Sequence, residues 1–290
     1  MSLNVFKTVK DAIAHLNPHD IREEADRPLR VGLFANSDRA YQQMEAYFTP
    51  GSLSPGRREQ AAQVIQRAGG SAYDVQIFSE ELRPSQGGFT FYLNSPEQTV
   101  KNILKAQPHL GVGLARHLGP FHKPVADHII RLVSRENALF SLATAIPDVV
   151  PFLSLPWAVG EFASDTAVLT ANQIRMAFIL AAASDREVGY REQRGEIGTI
   201  LLGAFGWRAI AREVVGKIPF GGGLIAKAAV AYAGTRVVGL SLERYYRVGY
   251  HYTRAERTAA YQDALERGKT IAGSILNTVK RHQIAPSQTP

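Results

Sequence analysis

Residues 31–44 read VGLFANSDRAYQQM, and this stretch decides how the first third of the chain is expected to fold. The apolar run at 31–34 is typical of a buried strand, and the turn that follows carries helix-capping side chains. From residue 38 onward the pattern favours a helix. A strand, a sharp turn and a helix in this order open the nucleotide-binding domain of a GTPase, so the question is whether this turn holds a phosphate.

The turn lacks the groups that bind a phosphate. A phosphate-binding loop has the pattern G-x-x-x-x-G-K-[ST], in which backbone N–H groups and a lysine face the phosphate and a hydroxyl binds Mg²⁺. Here Gly32 is followed by LFANSDR, with no second glycine and no Gly-Lys-Ser step. Asp38 also places negative charge where a phosphate would lie. We predict that Asn36, Ser37 or Asp38 is an ordinary N-cap, that Arg39 does not replace the lysine, and that the chain has no nucleotide cofactor.

The flanking segments complete a small α/β unit. We predict a short charged helix within 20–30, helices at 38–48, 57–68 and 97–105, and strands at 29–34, 72–78 and 89–93. At the N-terminus, apolar residues follow a helical spacing, which predicts an amphipathic helix ending near Asn17-Pro18; they are Val5, Phe6, Val9, Ile13 and Leu16. This helix either packs on its own domain or lies on a membrane surface.

Composition limits the chemistry. The 290 residues carry a net charge of +7 and a pI of about 9.6, which favours anionic partners such as phospholipid headgroups or nucleic acid. The absence of cysteine excludes disulfides, thiol catalysis and cysteine-bound metals. His117, His122 and His128 are not spaced to share one helical face, and no G-x-S-x-G, H-E-x-x-H or G-x-G-x-x-G motif occurs. We therefore predict no catalytic residues, no metal site and no cofactor.

From about residue 115 the pattern is helical, and a helix is expected to open at 122–124. Apolar stretches occupy 138–160, 167–183 and 200–242, a mixed-charge connector at 185–198 is expected to be solvated, and a last helix is predicted at 253–279. The predicted fold class is α+β, predominantly α, with a small N-terminal α/β unit followed by an all-helical, hydrophobic domain. The predicted domains are N-terminal helices at 1–28, the α/β unit at 29–110, a helical domain at 111–250, a C-terminal helix at 251–282 and a disordered tail at 283–290.

The helical half carries an ordered succession of motifs. They are RENALFSLATAIPDVVPF from residue 135, LTANQIRMAFILAA from residue 169, and GAFGWRAIAREVVGKIPFGGGLIAKAAVAYAGTRVVGLSLERYYRVG from residue 203. Over about 115 residues the chain resembles the GTPase-associated helical domain of unknown function found behind Era-like GTPase domains and in YcjF-type inner-membrane proteins. The resemblance implies an all-helical domain and a bacterial origin, and it implies no activity. In its light, the unit at 29–110 resembles a shrunken GTPase domain without its nucleotide loop.

Whether the apolar helices enter a membrane is left open by the sequence. The stretch 138–160 is long enough to span a bilayer, but it contains three prolines and Asp148. A soluble bundle, a re-entrant hairpin and a peripheral membrane surface all fit. The aromatic residues Trp157, Trp207, Tyr245, Tyr246, Tyr250 and Tyr252 are interpreted either as interfacial side chains or as ordinary partly buried rings.

Two groups of residues are candidates for structural or interaction roles. Gln173 and Arg175 lie in an apolar helix, so we expect polar partners for both inside the protein. The stretch KIPFGGGLIAKAAVAYAGT predicts a turn followed by a helix whose small residues pack closely on a neighbouring helix, with the Gln173 helix as one choice. The full set of candidates is Asp148, Gln173, Arg175, Pro219, Gly221, Gly222, Gly223, Lys227 and Gly234.

These observations favour a non-enzymatic membrane-associated or scaffold protein, with a pseudo-GTPase segment and a helical interaction domain. The alternative is a soluble nucleotide-dependent regulator or hydrolase with an atypical site. Expected partners are a membrane lipid surface, a protein or a second copy of the chain, and the expected location is the bacterial cytoplasm or the cytoplasmic face of the inner membrane. Nucleic acid is disfavoured because the arginines at 186–194 alternate with acidic residues.

Overall fold

The computed structural model describes residues 3–51, 53–67, 72–144, 165–203 and 223–284. The predicted fold class, α+β and predominantly α with a small N-terminal α/β unit, is confirmed. The helices are α1 (Leu3–Ala14), α2 (Pro18–Asp26), α3 (Asp38–Phe48), α4 (Pro55–Val64), α5 (Pro96–Ala106), α6 (Gly111–His117), α7 (Gly119–Ala143), α8 (Asp165–Ala183), α9 (194–203), α10 (Gly223–Val248) and α11 (Arg254–Ile284). The strands are β1 (Val31–Phe34), β2 (Ile65–Arg67), β3 (Val75–Ser79) and β4 (Phe89–Phe91), and a 3₁₀ turn covers Pro108–Leu110.

The four strands form one parallel sheet in the order β2-β1-β3-β4. β1 lies in the middle, with Val31 opposite Ile65 on one side and Val75 on the other. Because side chains alternate along a strand, Val31 and Leu33 share one face, and both are fully buried. The core on this face includes Phe48 of α3, whose ring stacks at 6.0 Å on that of Phe121 in α7.

The predicted helix at 57–68 is wrong at its C-terminal end, where the structure has strand β2. The helix α4 ends at Val64, and Ile65–Arg67 pairs with β1. The apolar spacing of Ala61, Val64 and Ile65 continues a helical pattern, so the sequence alone hides a strand that exists through pairing with residues more than thirty positions earlier.

Two other predictions were wrong in part. The helix expected to open at 122–124 begins at Gly119, and Pro124 lies inside it. The connector at 185–198 is not wholly solvated: its arginines are exposed, but Val188, Gln193 and Glu196 are buried, and residues 194–203 are helical. The alternating charges in the sequence correctly indicated the exposed residues of this segment, but they gave no sign of the buried ones.

The described residues group into two compact units. The α/β unit comprises the described parts of His19–His128 together with Ala181–Val188, and the helical unit comprises the described parts of Met1–Pro18, Ile129–Leu180 and Gly189–Pro290. This grouping differs from the predicted domains, because residues 111–128 belong with the sheet and α1 belongs with the helices. The divisions fall inside α7 and α8.

Within the helical unit, α1 is docked on α8. Val9 and Ala12 are buried against Ala167 and Ala171, so the interpretation of α1 as a helix packed on its own domain is correct for these residues. Elsewhere α10 and α11 pack along their lengths, with Ala229, Ala233 and Val237 of α10 against Tyr261, Ala264 and Leu265 of α11. Burial raises the pKa of the Tyr261 phenol to about 12.

Two described helices are long and apolar enough to cross a membrane, by length and composition only. Of the window Thr166–Ala183, 78% is buried inside the protein. Of the window Gly223–Val248, 50% is buried.

Candidate functional site

The β1–α3 turn is the place where a nucleotide-binding fold would hold its phosphate. Ser37 is the N-cap of α3, as predicted, with extended backbone angles of φ −145° and ψ 156°. Its Oγ accepts a hydrogen bond of 3.2 Å from the N–H of Ala40, and its carbonyl accepts one of 3.0 Å from the N–H of Tyr41. The residue therefore satisfies a backbone donor that a phosphate-binding turn would point at its ligand.

One basic side chain at this turn is paired with a carboxylate. The Arg67 guanidinium, at the end of β2, donates to Asp38 and lies 4.9 Å from the centre of the Tyr41 ring. The hydrogen bond to Asp38 raises the pKa of Arg67. Both side chains are mostly exposed, at 63% and 77%, so this is a surface pair that organises the turn and adds little stability. A phosphate would have to displace the Asp38 carboxylate.

The strand order creates a switch point between β1 and β3, where open α/β sheets bind their ligands beyond the carboxyl ends of the strands. The chain leaves β3 through the exposed residues Glu80 and Glu81. At the same edge of the sheet, Asp38 after β1 is paired with Arg67 at the end of β2. The strand order is that of a ligand-binding sheet, and Glu80 and Glu81 are acidic side chains at this edge that would repel an anionic ligand.

A buried polar network lies in the helical unit. Asn137 of α7 donates to Thr235 Oγ1 at 2.8 Å and to the Leu169 carbonyl at 3.3 Å, and its Oδ1 accepts from Asn172 at 2.7 Å. Gln173 donates to the same Thr235 hydroxyl at 3.1 Å. The exposed fraction is at most 8% for each of the four side chains. The network ties α7, α8 and α10 together, and its amides and hydroxyl do not titrate, so it positions helices and offers no acid–base chemistry.

The sequence-predicted candidates have different outcomes. Gln173 is buried and bonded, as expected. The Arg175 side chain is partly exposed, and no hydrogen bond or ion pair joins it to another described residue, so its polar partner stays a prediction. Two positions along α8 turn this side chain away from the face that carries Gln173.

The remaining candidates belong to α10 or lie outside the described residues. Gly223 begins α10, is exposed, and has nothing within 4 Å of a Cβ position. Lys227 donates to Thr144 Oγ1 at 3.2 Å, and Gly234 is buried. Asp148, Pro219, Gly221 and Gly222 lie outside the described residues.

The close-packed seam expected along α10 exists, with α11 as its main partner. A Cβ on Gly268 of α11 would lie 2.9 Å from the Ala229 carbonyl oxygen, which is backbone of α10. On another side of α10, a Cβ on Gly239 would lie 2.8 Å from Ile130 and 3.0 Å from Met176. The small residues therefore serve approaches to α11, α7 and α8, and the Gln173 helix is one partner among them.

The α/β unit contains a serine–histidine contact that resembles a nucleophile with its base. The His122 Nε2 lies 2.9 Å from Ser184 Oγ. Ser184, however, is only 4% exposed, so a substrate carbonyl cannot reach its oxygen. The contact belongs to the cap that ends α8.

That cap consists of backbone hydrogen bonds with charged side chains around them. The backbone N–H groups of Asp185 and Arg186 bond to the carbonyls of Ala182 and Ala181, which is a Schellman arrangement, and Asp185 has a left-handed φ of 56° where glycine is favoured. The Asp185 carboxylate lies 3.4 Å from Arg116, and Arg57 donates to the Ser184 carbonyl at 3.0 Å. Cations at a helix C-terminus are stabilising, so the cluster secures residues 181–188 within the α/β unit.

Sequence reasoning missed the roles of Asn137, Thr235 and Arg116. The signal for the first two was a polar residue in an apolar helix, but nothing in the sequence says which polar residues meet.

One group of possible metal ligands occurs among the residues described: His19, Asp20 and Glu23 on α2 place their ligand atoms within 4.8 Å of one another. All three are exposed, which is common for acidic groups that hold no ion.

Compared with known protein families, with curated proteins and with solved structures, the chain matches none.

Proposed function

We propose that this chain is a non-enzymatic membrane-associated or scaffold protein. Its α/β unit has a GTPase-like start without nucleotide binding, and its helical unit makes the contacts with partners. The resemblance of the helical half to the GTPase-associated domain, with the bacterial cytoplasm or inner membrane as its location, is part of this proposal. The observation that carries it is the closed β1–α3 turn, in which Ser37 and Asp38 bond within the chain.

The energetic argument concerns what a phosphate would gain at this turn. Phosphate sites combine several free N–H donors with a cation. Here the Ser37 hydroxyl accepts a hydrogen bond from the Ala40 N–H, and Arg67 is paired with Asp38. A bound phosphate would break these bonds and then face the carboxylate at close range, so binding is expected to be unfavourable.

A nucleotide titration tests this proposal. The full-length protein is titrated with a fluorescent guanine or adenine nucleotide in the presence of Mg²⁺, and we expect no saturable binding. Arg39→Ala and Arg67→Ala are the informative variants, because these are the cations nearest the turn in sequence or in space. Saturable micromolar binding that either variant abolishes would overturn the proposal.

A soluble nucleotide-dependent regulator or hydrolase is the second candidate, and the strand order favours it. The switch point between β1 and β3 is where such a ligand would bind. Asp38→Asn and Glu80→Gln reduce the negative charge at that edge. If the second candidate is correct, these variants should bind nucleotide more tightly than the parent; under the first, all remain without binding.

Cell fractionation separates a membrane-associated protein from a soluble scaffold. The membrane form is expected to leave the membrane fraction on washing with salt or carbonate, because α8 is largely buried within the protein and is not available to lipid. Retention after carbonate would instead indicate an integral protein. Complete recovery in the soluble fraction would instead support a soluble scaffold protein.

A further inference from the structure

The connection between α10 and α11 forms an ordered turn, which we name the tyrosine turn and define as residues 245–254. The helix α10 ends at Val248, and Gly249 follows with φ +82°. The Gly249 N–H bonds to the Tyr245 carbonyl at 2.8 Å. A glycine is favoured at this position because the left-handed conformation is open to it without strain.

Side-chain contacts on both sides of the turn hold its shape. The Tyr245 ring stacks on the His251 imidazole, with centres 4.2 Å apart and planes inclined by 7°. The Arg244 guanidinium lies 5.1 Å from the centre of the Tyr252 ring and is bonded to Glu256 at 2.5 Å. The turn therefore presents its remaining side chains in a fixed arrangement, which lowers the entropy lost on binding.

Two of the side chains that the turn exposes are apolar or aromatic. Val248 is 44% exposed and Tyr250 is 74% exposed, whereas the neighbouring Tyr245, Tyr246 and Tyr252 are at least partly buried. A single exposed apolar residue is ordinary on a protein surface. Two of them at the apex of a braced turn become informative when the charges around them are counted.

The charge around the apex is positive. Arg244 is paired with Glu256, and Arg247 with Glu243 at 2.8 Å. The next arginines in the chain, at 254 and 257, are exposed and make no ion pair with another described residue. The end of the turn and the first residues of α11 thus carry positive charge that is not paired within the described residues, close in sequence to the exposed apolar side chains.

We propose that the tyrosine turn binds the surface of a bilayer that contains anionic phospholipid. Tyr250 and Val248 enter the headgroup region, and Arg254 and Arg257 contact the anionic headgroups. An aromatic ring with one polar end suits the boundary between headgroups and acyl chains. This inference rests on the membrane-associated form of the proposed function and assigns the contact to one site.

A lipid surface fits the turn better than a nucleic acid. Single-stranded nucleic acid is bound by successive aromatic rings on which bases stack. Here the rings of Tyr245 and Tyr252 are already engaged with His251 and Arg244, which leaves Tyr250 as the exposed ring, and its exposed neighbour Val248 is aliphatic.

The test is co-sedimentation of the full-length protein with vesicles of phosphatidylcholine alone or mixed with phosphatidylserine, at low and high salt. We expect binding to the mixed vesicles, weakened by salt, and little binding to phosphatidylcholine. Arg254→Gln with Arg257→Gln should lower the partition coefficient by about 30-fold, which corresponds to about 1 kcal/mol for each basic side chain. Val248→Ser with Tyr250→Ser should lower it by about tenfold.

Matched controls exist in the same unit. Leu202 is 77% exposed, so Leu202→Ser removes an exposed apolar side chain elsewhere. Arg191→Gln with Arg194→Gln makes the same change of charge at exposed arginines that are far from the turn in sequence. Both controls should sediment like the parent, and circular dichroism should show that all variants are folded.

Three results would overturn the proposed site. The first is that the parent does not bind the mixed vesicles, and the second is that the tyrosine-turn variants bind as the parent does. The third is that the controls lose as much binding as the turn variants. If the parent fractionates with membranes while the turn variants are unaffected, the site is wrong and membrane association still stands. Binding of fluorescent single-stranded DNA that the arginine variant abolishes, without vesicle binding, would assign the turn to nucleic acid.

Discussion

Two clusters of polar side chains, one in each unit of this protein, have opposite surroundings. At the β1–α3 turn, Ser37, Asp38 and Arg67 bond to one another or to nearby backbone at the surface, with Asp38 and Arg67 mostly in water. In the helical unit, Asn137 and Thr235 bond to each other at the centre, with 0% and 1% exposed. The difference teaches that a surface cluster can be lost at little energetic cost, whereas a buried one fixes the positions of whole helices.

The largest expected effect comes from breaking the buried network. Asn137→Leu removes the acceptor of Asn172 and the donor to Thr235, leaving both polar groups buried without that partner. We expect the free energy of unfolding to fall by about 3 kcal/mol, since each orphaned group costs roughly 1–3 kcal/mol. Urea unfolding measures this. The control is Asn102→Leu, at a surface amide pair with Gln98, which should change stability by less than about 0.5 kcal/mol. Equal effects would show that the network adds nothing beyond a surface bond.

The second prediction concerns the α10–α11 seam and compares two glycines of one helix. Gly268→Ala would place a Cβ 2.9 Å from the Ala229 carbonyl oxygen, and backbone cannot move aside as a flexible side chain can. We expect a loss of roughly 1–3 kcal/mol. Gly273→Ala meets nothing within 4 Å and should stabilise α11 by about 0.5–1 kcal/mol. Thermal unfolding of both variants tests the contrast, and effects of the same sign would contradict the close approach.

The third prediction concerns the stability that the Ser37 capping bond adds at the surface β1–α3 turn. Ser37→Ala removes the capping bond to Ala40 and should cost about 1 kcal/mol. Ser54 is also an N-cap, of α4, but its side chain makes no capping bond, so Ser54→Ala should be close to neutral. If the two variants unfold at the same temperature, the Ser37 bond does not stabilise α3.

The smallest effect is expected from pH, at the start of α11. The Arg244 side chain, with the Thr253 backbone and hydroxyl, lowers the pKa of Glu256 from 4.5 to about 2. Because the pKa is lower in the folded state, this contribution is complete above pH 4.5 and is lost as pH falls towards 2. Glu256→Gln should lower stability at neutral pH and flatten its decline over this window. Glu266→Gln, at an exposed pair on the same helix, should keep the parent profile; a parent-like profile for Glu256→Gln would contradict the assignment.

Local signals in the sequence predicted the elements that depend on near neighbours. The bounds of α3, at Asp38 and Phe48, were predicted correctly because the capping serine and the Thr-Pro-Gly that follows are adjacent in the chain. The start of α11 likewise follows the Thr253–Glu256 capping box, whose reciprocal bonds are 2.8 and 3.3 Å.

Contacts between distant residues could not be predicted in this way. The strand β2 is three residues long and exists only through its pairing with β1. Asn137 and Thr235 are 98 positions apart, so each is merely a polar residue in an apolar helix until the fold brings them together. The turn at residues 35–38 could be assessed from sequence because the groups it lacks would all be local, although the Arg67 that closes it could not be identified.

The docking of α1 on α8 has a consequence for synthesis. Val9 and Ala12 are buried against Ala167 and Ala171, which are made about 160 residues later. At roughly 5–20 residues per second, these residues of α1 wait about 8 to 30 seconds for their partners on α8. Nascent chains of this protein should therefore need protection by a chaperone during that interval. Stalled chains of increasing length, probed by a protease, should become resistant at α1 only after Ala171 has emerged.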